Sequence, residues 1–142
     1  MSKLLLALLI LSAPVLSNEL NYTKTSKKTK YESTPEYFYN LKNDALCVKA
    51  GKIYRGTKNQ ESDVFKNMEA EINKRKLIDP EHLQWIFKKT LNLGANECEI
   101  LASLGLPDNI NRSVNANNIS KQFVYGNIYI YTENGIVTSW QD

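Results

Sequence analysis

The sequence contains one histidine, His82, and two cysteines, Cys47 and Cys98, in 142 residues. These three side chains are too few for the four nitrogen and sulfur ligands of a structural zinc site, so we predict no metal ion and no cofactor. A nucleophilic enzyme would need His82 as its base. This histidine follows Glu81 at a polar helix start, which is typical of a surface imidazole. We therefore predict that the protein is not an enzyme.

The sequence also has no large excess of charge of one sign. Eighteen Lys and Arg residues balance fifteen Asp and Glu residues, and the formal net charge is +3. A protein that binds DNA or RNA by neutralising phosphates carries a larger basic excess. Nucleic acid is therefore excluded as a predicted partner.

Long apolar runs are limited to Leu4–Leu11, which follows Lys3 near the N-terminus. The run is shorter than the ~20 helical residues that span a bilayer, and the small residues Val15 and Ser17 follow it. This pattern predicts a cleaved signal peptide over 1–17 and a periplasmic or secreted protein. The alternative is a retained membrane anchor, which is disfavoured because the next residues contain no stop-transfer run. No cysteine is available near the cleavage region to carry a lipid.

Residues 18–36 are polar and rich in Lys, Ser and Thr, which predicts a linker. Its lysines could contact an anionic surface such as phospholipid head groups. They are Lys24, Lys27, Lys28 and Lys30. The alternative is a solvated linker, which is favoured because three glutamates dilute the positive charge.

Three helices are predicted in the helical part, 37–88. Apolar residues recur there every three or four positions, which indicates that one stripe of each helix packs in a core. The first helix is expected to end at Gly56. The predicted N-terminal caps are Asn43 or Asp44 for the first helix, Ser62 for the second and Asp79 for the third.

Cys47 and Cys98 belong to an exported chain, where an oxidising compartment would let them pair. A bridge would close a loop of roughly fifty residues and stabilise the fold by ~4 kcal/mol at most. The alternative is two separate buried thiols, and the sequence leaves both possibilities open. A reactive thiol at Cys98 is disfavoured because no base is placed beside it.

The C-terminal part, 90–141, contains a short helix followed by strands. Asn96 and Glu99 have the spacing of a capping box, and Gly105 is expected to end the helix. The Asn-rich segment 109–118 predicts a strand start leading into an exposed loop. Three strands with alternating residues follow, around Phe123, Ile130 and Val137, and Asn134-Gly135 predicts a hairpin turn between the last two.

Three aromatic residues of these strands, Tyr129, Tyr131 and Trp140, are predicted to form a row on one face of the sheet. An exposed aromatic row marks a binding surface, so these residues are our candidate partner contacts. The alternative is that they fill the core or merely cover a sheet face.

The resemblance to a known family is carried by three stretches: Leu93-Gly94, Leu104-Gly105-Leu106-Pro107-Asp108, and the closing strands from Gln122 to Gln141. Over about residues 90–141 the chain resembles the SmpA/OmlA (BamE-like) family of small bacterial envelope proteins. The resemblance implies an α+β domain whose helices pack on one face of a small three-stranded antiparallel sheet. It also implies a role in outer-membrane assembly or cell-envelope integrity through protein or lipid contacts. The related fold of proteinaceous β-lactamase inhibitors shows that this architecture can also dock on enzymes.

Together these patterns predict one α+β domain over 37–142 that acts as an exported, non-enzymatic interaction module with an envelope protein as partner. The alternative is an inhibitor of a secreted or periplasmic hydrolase, either a β-lactamase or a cell-wall hydrolase. Such an inhibitor would insert an aromatic residue or the 109–118 loop into the enzyme's cleft. A thiol or hydrolytic enzyme is the least favoured possibility because no catalytic constellation is present.

Overall fold

The computed structural model describes residues 32–142. The predicted signal peptide 1–17, most of the predicted linker and its four lysines lie outside the described residues. The first described helix begins at Pro35, inside the segment that was predicted as linker. Within the described part of the chain, no helix is long and apolar enough to cross a membrane.

Helices come first in the described chain and strands come last, which confirms the predicted α+β class. The elements are α1 (Pro35–Asn40), α2 (Asn43–Gly56), α3 (Asp63–Lys74), a 3₁₀ turn (Pro80–His82), α4 (Leu83–Lys88), α5 (Glu97–Leu104), β1 (Asn109–Val114), β2 (Ile119–Tyr125), β3 (Ile128–Glu133) and β4 (Ile136–Gln141). The strands form one antiparallel sheet in the order β1-β2-β3-β4. The prediction of three strands was wrong because the sheet has four.

The additional strand is β1, in a segment that was predicted as a strand start leading into an exposed loop. Its pairing with β2 begins at Asn109 opposite Val124 and continues to Val114 opposite Ile119. All the residues of β1 are exposed, so the strand lacks the buried alternate positions by which a strand is recognised in a sequence. Pairing with β2, rather than local composition, makes this segment a strand.

The helices enclose an apolar core. Residues on one stripe of α2 and one stripe of α3 meet there, as their spacing predicts. The core residues with no exposed surface are Phe38, Leu46, Ala50, Met68, Ile72, Ile86 and Ala102. Burying a large apolar side chain contributes about 1.5–3 kcal/mol to the free energy of unfolding. This core is therefore the main source of stability in the helical part.

Arg75, which follows α3, holds the short helix α1 in place. Its guanidinium donates to the carbonyl oxygens of Tyr39 and Leu41 at 2.7 Å and to that of Phe38 at 3.3 Å. It also pairs with Glu71 at 2.7 Å. The last carbonyls of a helix have no partner within the helix, and Arg75 supplies one for the end of α1.

A second, smaller core joins α5 to one face of the sheet. It contains Ala95, Ile100, Phe123, Ile130 and Val137. We call the face that carries Phe123, Ile130 and Val137 the inner face and the opposite face the outer face. Helix α5 therefore covers the inner face of the sheet and not the outer face.

The predicted capping box at the start of α5 is confirmed. The Asn96 side chain accepts the backbone N–H of Glu99 at 3.0 Å, and the Glu99 carboxylate accepts that of Asn96 at 2.9 Å. Asp79 is also a cap, as predicted, and accepts the backbone N–H of Glu81 at 2.9 Å. Such caps satisfy amides that have no partner at a helix start.

The other two predicted caps differ in detail. Lys42, rather than Asn43 or Asp44, holds the cap position of α2, and its side chain makes no capping hydrogen bond. Ser62 holds the cap position of α3 as predicted, but its hydroxyl does not cap the helix. Both helices therefore begin where tertiary packing aligns their apolar stripes, without help from a side-chain cap.

Candidate functional site

The outer face of the sheet is mostly polar, and none of its residues is buried. Directly paired residues of antiparallel strands lie on the same face, so the strand register assigns each side chain to a face. The outer-face residues are Asn109, Asn111, Ser113, Ser120, Gln122, Val124, Tyr129, Tyr131, Glu133, Ile136, Ser139 and Gln141. The described part of the chain leaves this face accessible.

Five side chains form a hydrogen-bonded row that crosses all four strands. Asn109 Nδ2 donates to Asn111 Oδ1 at 3.0 Å, and Asn111 Nδ2 donates to Gln122 Oε1 at 2.8 Å. Gln122 Nε2 donates to the Tyr131 hydroxyl at 3.0 Å, and this hydroxyl donates to Gln141 Oε1 at 3.5 Å. We call these five residues the outer-face row. Each amide retains hydrogen-bonding capacity for another molecule, because its NH₂ group has two protons and its oxygen two lone pairs.

A shallow groove of about 410 Å³ runs along this row. Asn111, Gln122 and Tyr131 line it together with Ser120 and Ser139. Binding surfaces use such side chains because tyrosine supplies rigid contact area while Ser and Asn supply adaptable hydrogen bonds. The groove is therefore suited to binding another molecule.

The three predicted contact aromatics do not lie in one row. Tyr129 and Tyr131 lie on the outer face and are partly buried. Trp140 pairs with Ile130 and therefore lies on the inner face, where it is 44% exposed at the edge of the sheet. At a β-bulge, no residue of β3 lies directly opposite Thr138. This extra residue in β4 reverses which face each following side chain occupies. Trp140 is thus separated from the outer-face groove.

Glu97, the first residue of α5, links that helix to the inner face. Its carboxylate pairs with the Lys121 ammonium at 2.6 Å and accepts the Thr132 hydroxyl at 3.3 Å. Thr132 is almost fully buried, so its hydroxyl needs an internal partner. These contacts hold β2 and β3 against α5 and keep the outer face turned away from that helix.

His82 is not the surface imidazole that the sequence predicted. Its side chain is 23% exposed, its ring stacks on Trp85 and its Nδ1 lies 3.0 Å from both carboxylate oxygens of Glu99. The buried Glu99 carboxylate also accepts the backbone N–H groups of Asp79 and Asn96 at 2.9 Å. A buried carboxylate requires such donors, so the pair has a structural explanation. Within residues 32–142, Glu99 is the one side chain that hydrogen-bonds to the imidazole.

Cys47 of α2 and Cys98 of α5 form a disulfide, with their Cα atoms 5.3 Å apart. The structure thereby decides between the bridge and the separate buried thiols that the sequence left open. Both residues are buried. While the bridge is intact, the Cys98 sulfur is bonded and cannot act as a thiolate nucleophile.

Four members of the outer-face row were not among the predicted contact residues: Asn109, Asn111, Gln122 and Gln141. The available signal was alternation, since Gln122 directly precedes the buried Phe123 and must point to the other face. Alternation alone could not show which polar residues meet, because that depends on the register between strands.

The described residues contain no group of three or more His, Cys, Asp or Glu side chains that could hold a metal ion. Comparisons of the chain with protein-family models, with curated proteins and with solved structures found no match. The resemblance of residues 90–141 to the SmpA/OmlA family therefore stays a prediction.

Proposed function

We propose that this chain is an exported, non-enzymatic interaction module that binds an envelope protein through the outer face of its sheet. The observation that carries the proposal is the outer-face row, which is accessible and already ordered by hydrogen bonds across four strands. Side chains that are ordered before association lose less conformational entropy on binding. Because its side chains are already ordered, the outer face favours binding of a partner protein.

The composition of the outer face favours a protein partner. Tyr129 and Tyr131 supply aromatic area, and Ile136 adds an apolar side chain that is 43% exposed. Glu133 is the one charged residue on this face. Protein interfaces are enriched in tyrosine and depleted of charge at their centres, so the face matches a protein-binding surface better than a polyanion-binding one.

Two features support an extracytoplasmic setting for this module. The apolar run Leu4–Leu11 after Lys3 has the pattern of a signal peptide. The chain contains the Cys47–Cys98 disulfide, and disulfides persist in oxidising compartments but are rare in the cytosol. This setting and the family resemblance support the proposal of a role in outer-membrane assembly or envelope integrity.

Site-specific photo-crosslinking in the native envelope tests the proposal. A photoreactive amino acid replaces Ser139 in the groove or, as a control, the exposed Lys58 in the loop after α2. We expect a discrete protein adduct from position 139, none from position 58, and loss of the adduct when Tyr131→Ala is added. No adduct from position 139 above the level from position 58 would contradict the proposal.

A second candidate function, inhibition of a hydrolase, is favoured by the exposed end of the β1–β2 hairpin. The Asn115 side chain orders this turn by accepting the backbone N–H groups of Asn117 and Asn118 at 3.1 and 2.8 Å. Val114 and Ile119 flank it and are 55% and 38% exposed. An ordered turn with apolar flanks can fill a cleft without a large entropic cost.

Enzyme assays separate this candidate from the first. The purified protein is added to a panel of β-lactamases and cell-wall hydrolases, beside a Val114→Asn, Ile119→Asn variant. Inhibition of one enzyme that the variant no longer produces would support the inhibitor function. Unchanged rates across the panel would exclude it for those enzyme classes and leave the interaction module.

A further inference from the structure

A second groove, of about 430 Å³, lies between α2 and the loop after α5. Leu106 of that loop forms one wall and is 70% exposed. Ala45 and Val48 of α2 supply further apolar lining. An exposed leucine beside an accessible apolar stripe of a helix is a feature of interaction sites.

Three lysines border this groove: Lys42 at the cap position of α2, and Lys49 and Lys52 within the helix. Lys49 and Lys52 lie on the same side of the helix because they are three residues apart. Lys49 pairs with Glu32 at 3.3 Å, and Asp44 is the one acid in the lining. We call this site the lysine groove. At 1.5 Å per helical residue, its basic border is ~15 Å long.

We propose that the lysine groove binds an amphipathic helix of a partner protein, with acidic residues at both ends of the helix's apolar face. The length of the border matches about three helical turns. The small side chain of Ala45 permits close approach of a second helix, and the lysine stems extend the apolar lining while their ammonium groups remain at the rim. Apolar anchors flanked by complementary charges are how helices bind grooves.

The charge pattern favours such a helix over a membrane surface. Asp44 and Glu32 lie among the lysines, and both acids would face the phosphates of an anionic bilayer. A helix can instead place its acidic residues opposite Lys42 and Lys52 only. The lining also lacks the amide and hydroxyl side chains of the outer-face row, so recognition here rests on apolar contact and charge. The lysine groove is thus a second site, independent of the outer face.

Titration of the full, oxidised chain with synthetic helical peptides tests this proposal by NMR. The probe is an amphipathic peptide of about three turns, with leucines on one face and glutamates at both ends of that face. We expect amide shifts confined to Lys42–Lys52 and around Leu106. A peptide with lysines in place of the glutamates should produce none. Equal shifts with both peptides, or none with either, would overturn the proposal.

Charge reversal provides matched variants. Lys42→Glu, Lys52→Glu should weaken binding of the glutamate peptide by about tenfold, whereas Lys58→Glu, Lys88→Glu should leave it unchanged. Photo-crosslinking from the outer face at Ser139 should be unaffected by either pair. Failure of one site is therefore distinguishable from failure of the other.

Vesicle sedimentation tests the alternative ligand of the lysine groove, which is an anionic membrane surface. The chain is mixed with vesicles of phosphatidylglycerol and phosphatidylcholine, or of phosphatidylcholine alone, beside a Leu106→Ser variant. No difference between the variant and the parent chain supports the helix as ligand. Binding to the anionic vesicles that requires Leu106, without a response to the glutamate peptide, would overturn the proposal in favour of a membrane.

Discussion

Gly51 of α2 lies directly against the backbone of Ala102 in α5. A β-carbon built on Gly51 would lie 2.6 Å from the Ala102 carbonyl carbon, which is closer than unbonded carbons approach. One turn earlier in each helix, Cys47 and Cys98 form the disulfide. One turn later in α2, Arg55 donates to the Ala102 carbonyl oxygen at 2.6 Å. The two helices are therefore joined by three adjacent contacts along a single face.

Gly51→Ala should destabilise the protein. In an open helix position this change stabilises by about 0.5–1 kcal/mol, because alanine is a better helix former. At Gly51 the added methyl overlaps the backbone of Ala102, so we expect a net loss of about 1–3 kcal/mol in the free energy of unfolding. Denaturant unfolding measures this loss in the free energy of unfolding. Gly56→Ala is the control, since a β-carbon there meets nothing within 4 Å and stability should hold or rise. An unchanged midpoint for Gly51→Ala would contradict the close contact.

Loss of the disulfide should also lower stability. The two cysteines are 51 residues apart, and the chain-entropy estimate for a loop of that length is ~4 kcal/mol. We expect Cys47→Ala, Cys98→Ala to lower the free energy of unfolding by up to that amount. Thiol titration supplies a direct check: the unreduced protein should have no free thiol, native or denatured. Titratable thiols before reduction would show that the bridge does not form.

Arg75→Lys should release α1. An ammonium group cannot reproduce the planar fork that serves the carbonyls of Phe38, Tyr39 and Leu41 together, so we expect a loss of about 1–3 kcal/mol. Hydrogen exchange should show the earliest loss of protection in α1. Arg112→Lys is the matched control, because Arg112 is exposed and its replacement should change stability by less than about 0.5 kcal/mol. Retained protection in α1 of Arg75→Lys would refute this role.

Stability should fall at alkaline pH through Tyr54. Burial, with a smaller contribution from Glu69, raises the pKa of Tyr54 to about 12. The unfolded tyrosine ionises near pH ~10, so above that pH the unfolded chain binds fewer protons than the folded one. The contribution of the Tyr54 hydroxyl to the free energy of unfolding is complete below about pH 10 and is lost as the pH rises towards 12.

Tyr54→Phe tests the alkaline effect by removing the ionisable hydroxyl. The variant's free energy of unfolding should decline less steeply between about pH 10 and pH 12 than that of the parent chain. Tyr39→Phe, at a tyrosine that is 62% exposed, should leave the slope unchanged. Equal slopes for all three proteins would show that Tyr54 does not carry the effect.

The elements that sequence analysis predicted correctly depend on neighbours in the chain. The capping box of Asn96 and Glu99 needs only a spacing of three residues. Asn134 and Gly135 adopt φ angles of 51° and 86°, as the Asn-Gly signal for a hairpin predicts. Helix α2 also ends at Gly56, as predicted. These outcomes follow from the conformational preferences of a few adjacent residues.

Contacts between distant residues were predicted poorly. The His82–Glu99 pair joins residues that are 17 apart, and each looked like part of a polar helix start. Strand β1 has no apolar alternation of its own and becomes a strand only by pairing with β2. No local pattern encodes such pairings, because they depend on where the rest of the chain packs.

By itself, the sequence determined the α+β class, the side-chain caps at Asp79 and Asn96, the hairpin turn at Asn134-Gly135, and the supply of polar and aromatic side chains in the last strands. Only the tertiary structure decided which of those side chains meet. The bulge at Thr138 moves Trp140 to the inner face, and the register of four strands aligns Asn111, Gln122 and Tyr131 into one row. The physical reason is that a shift of one residue in a strand reverses the face of every side chain beyond it.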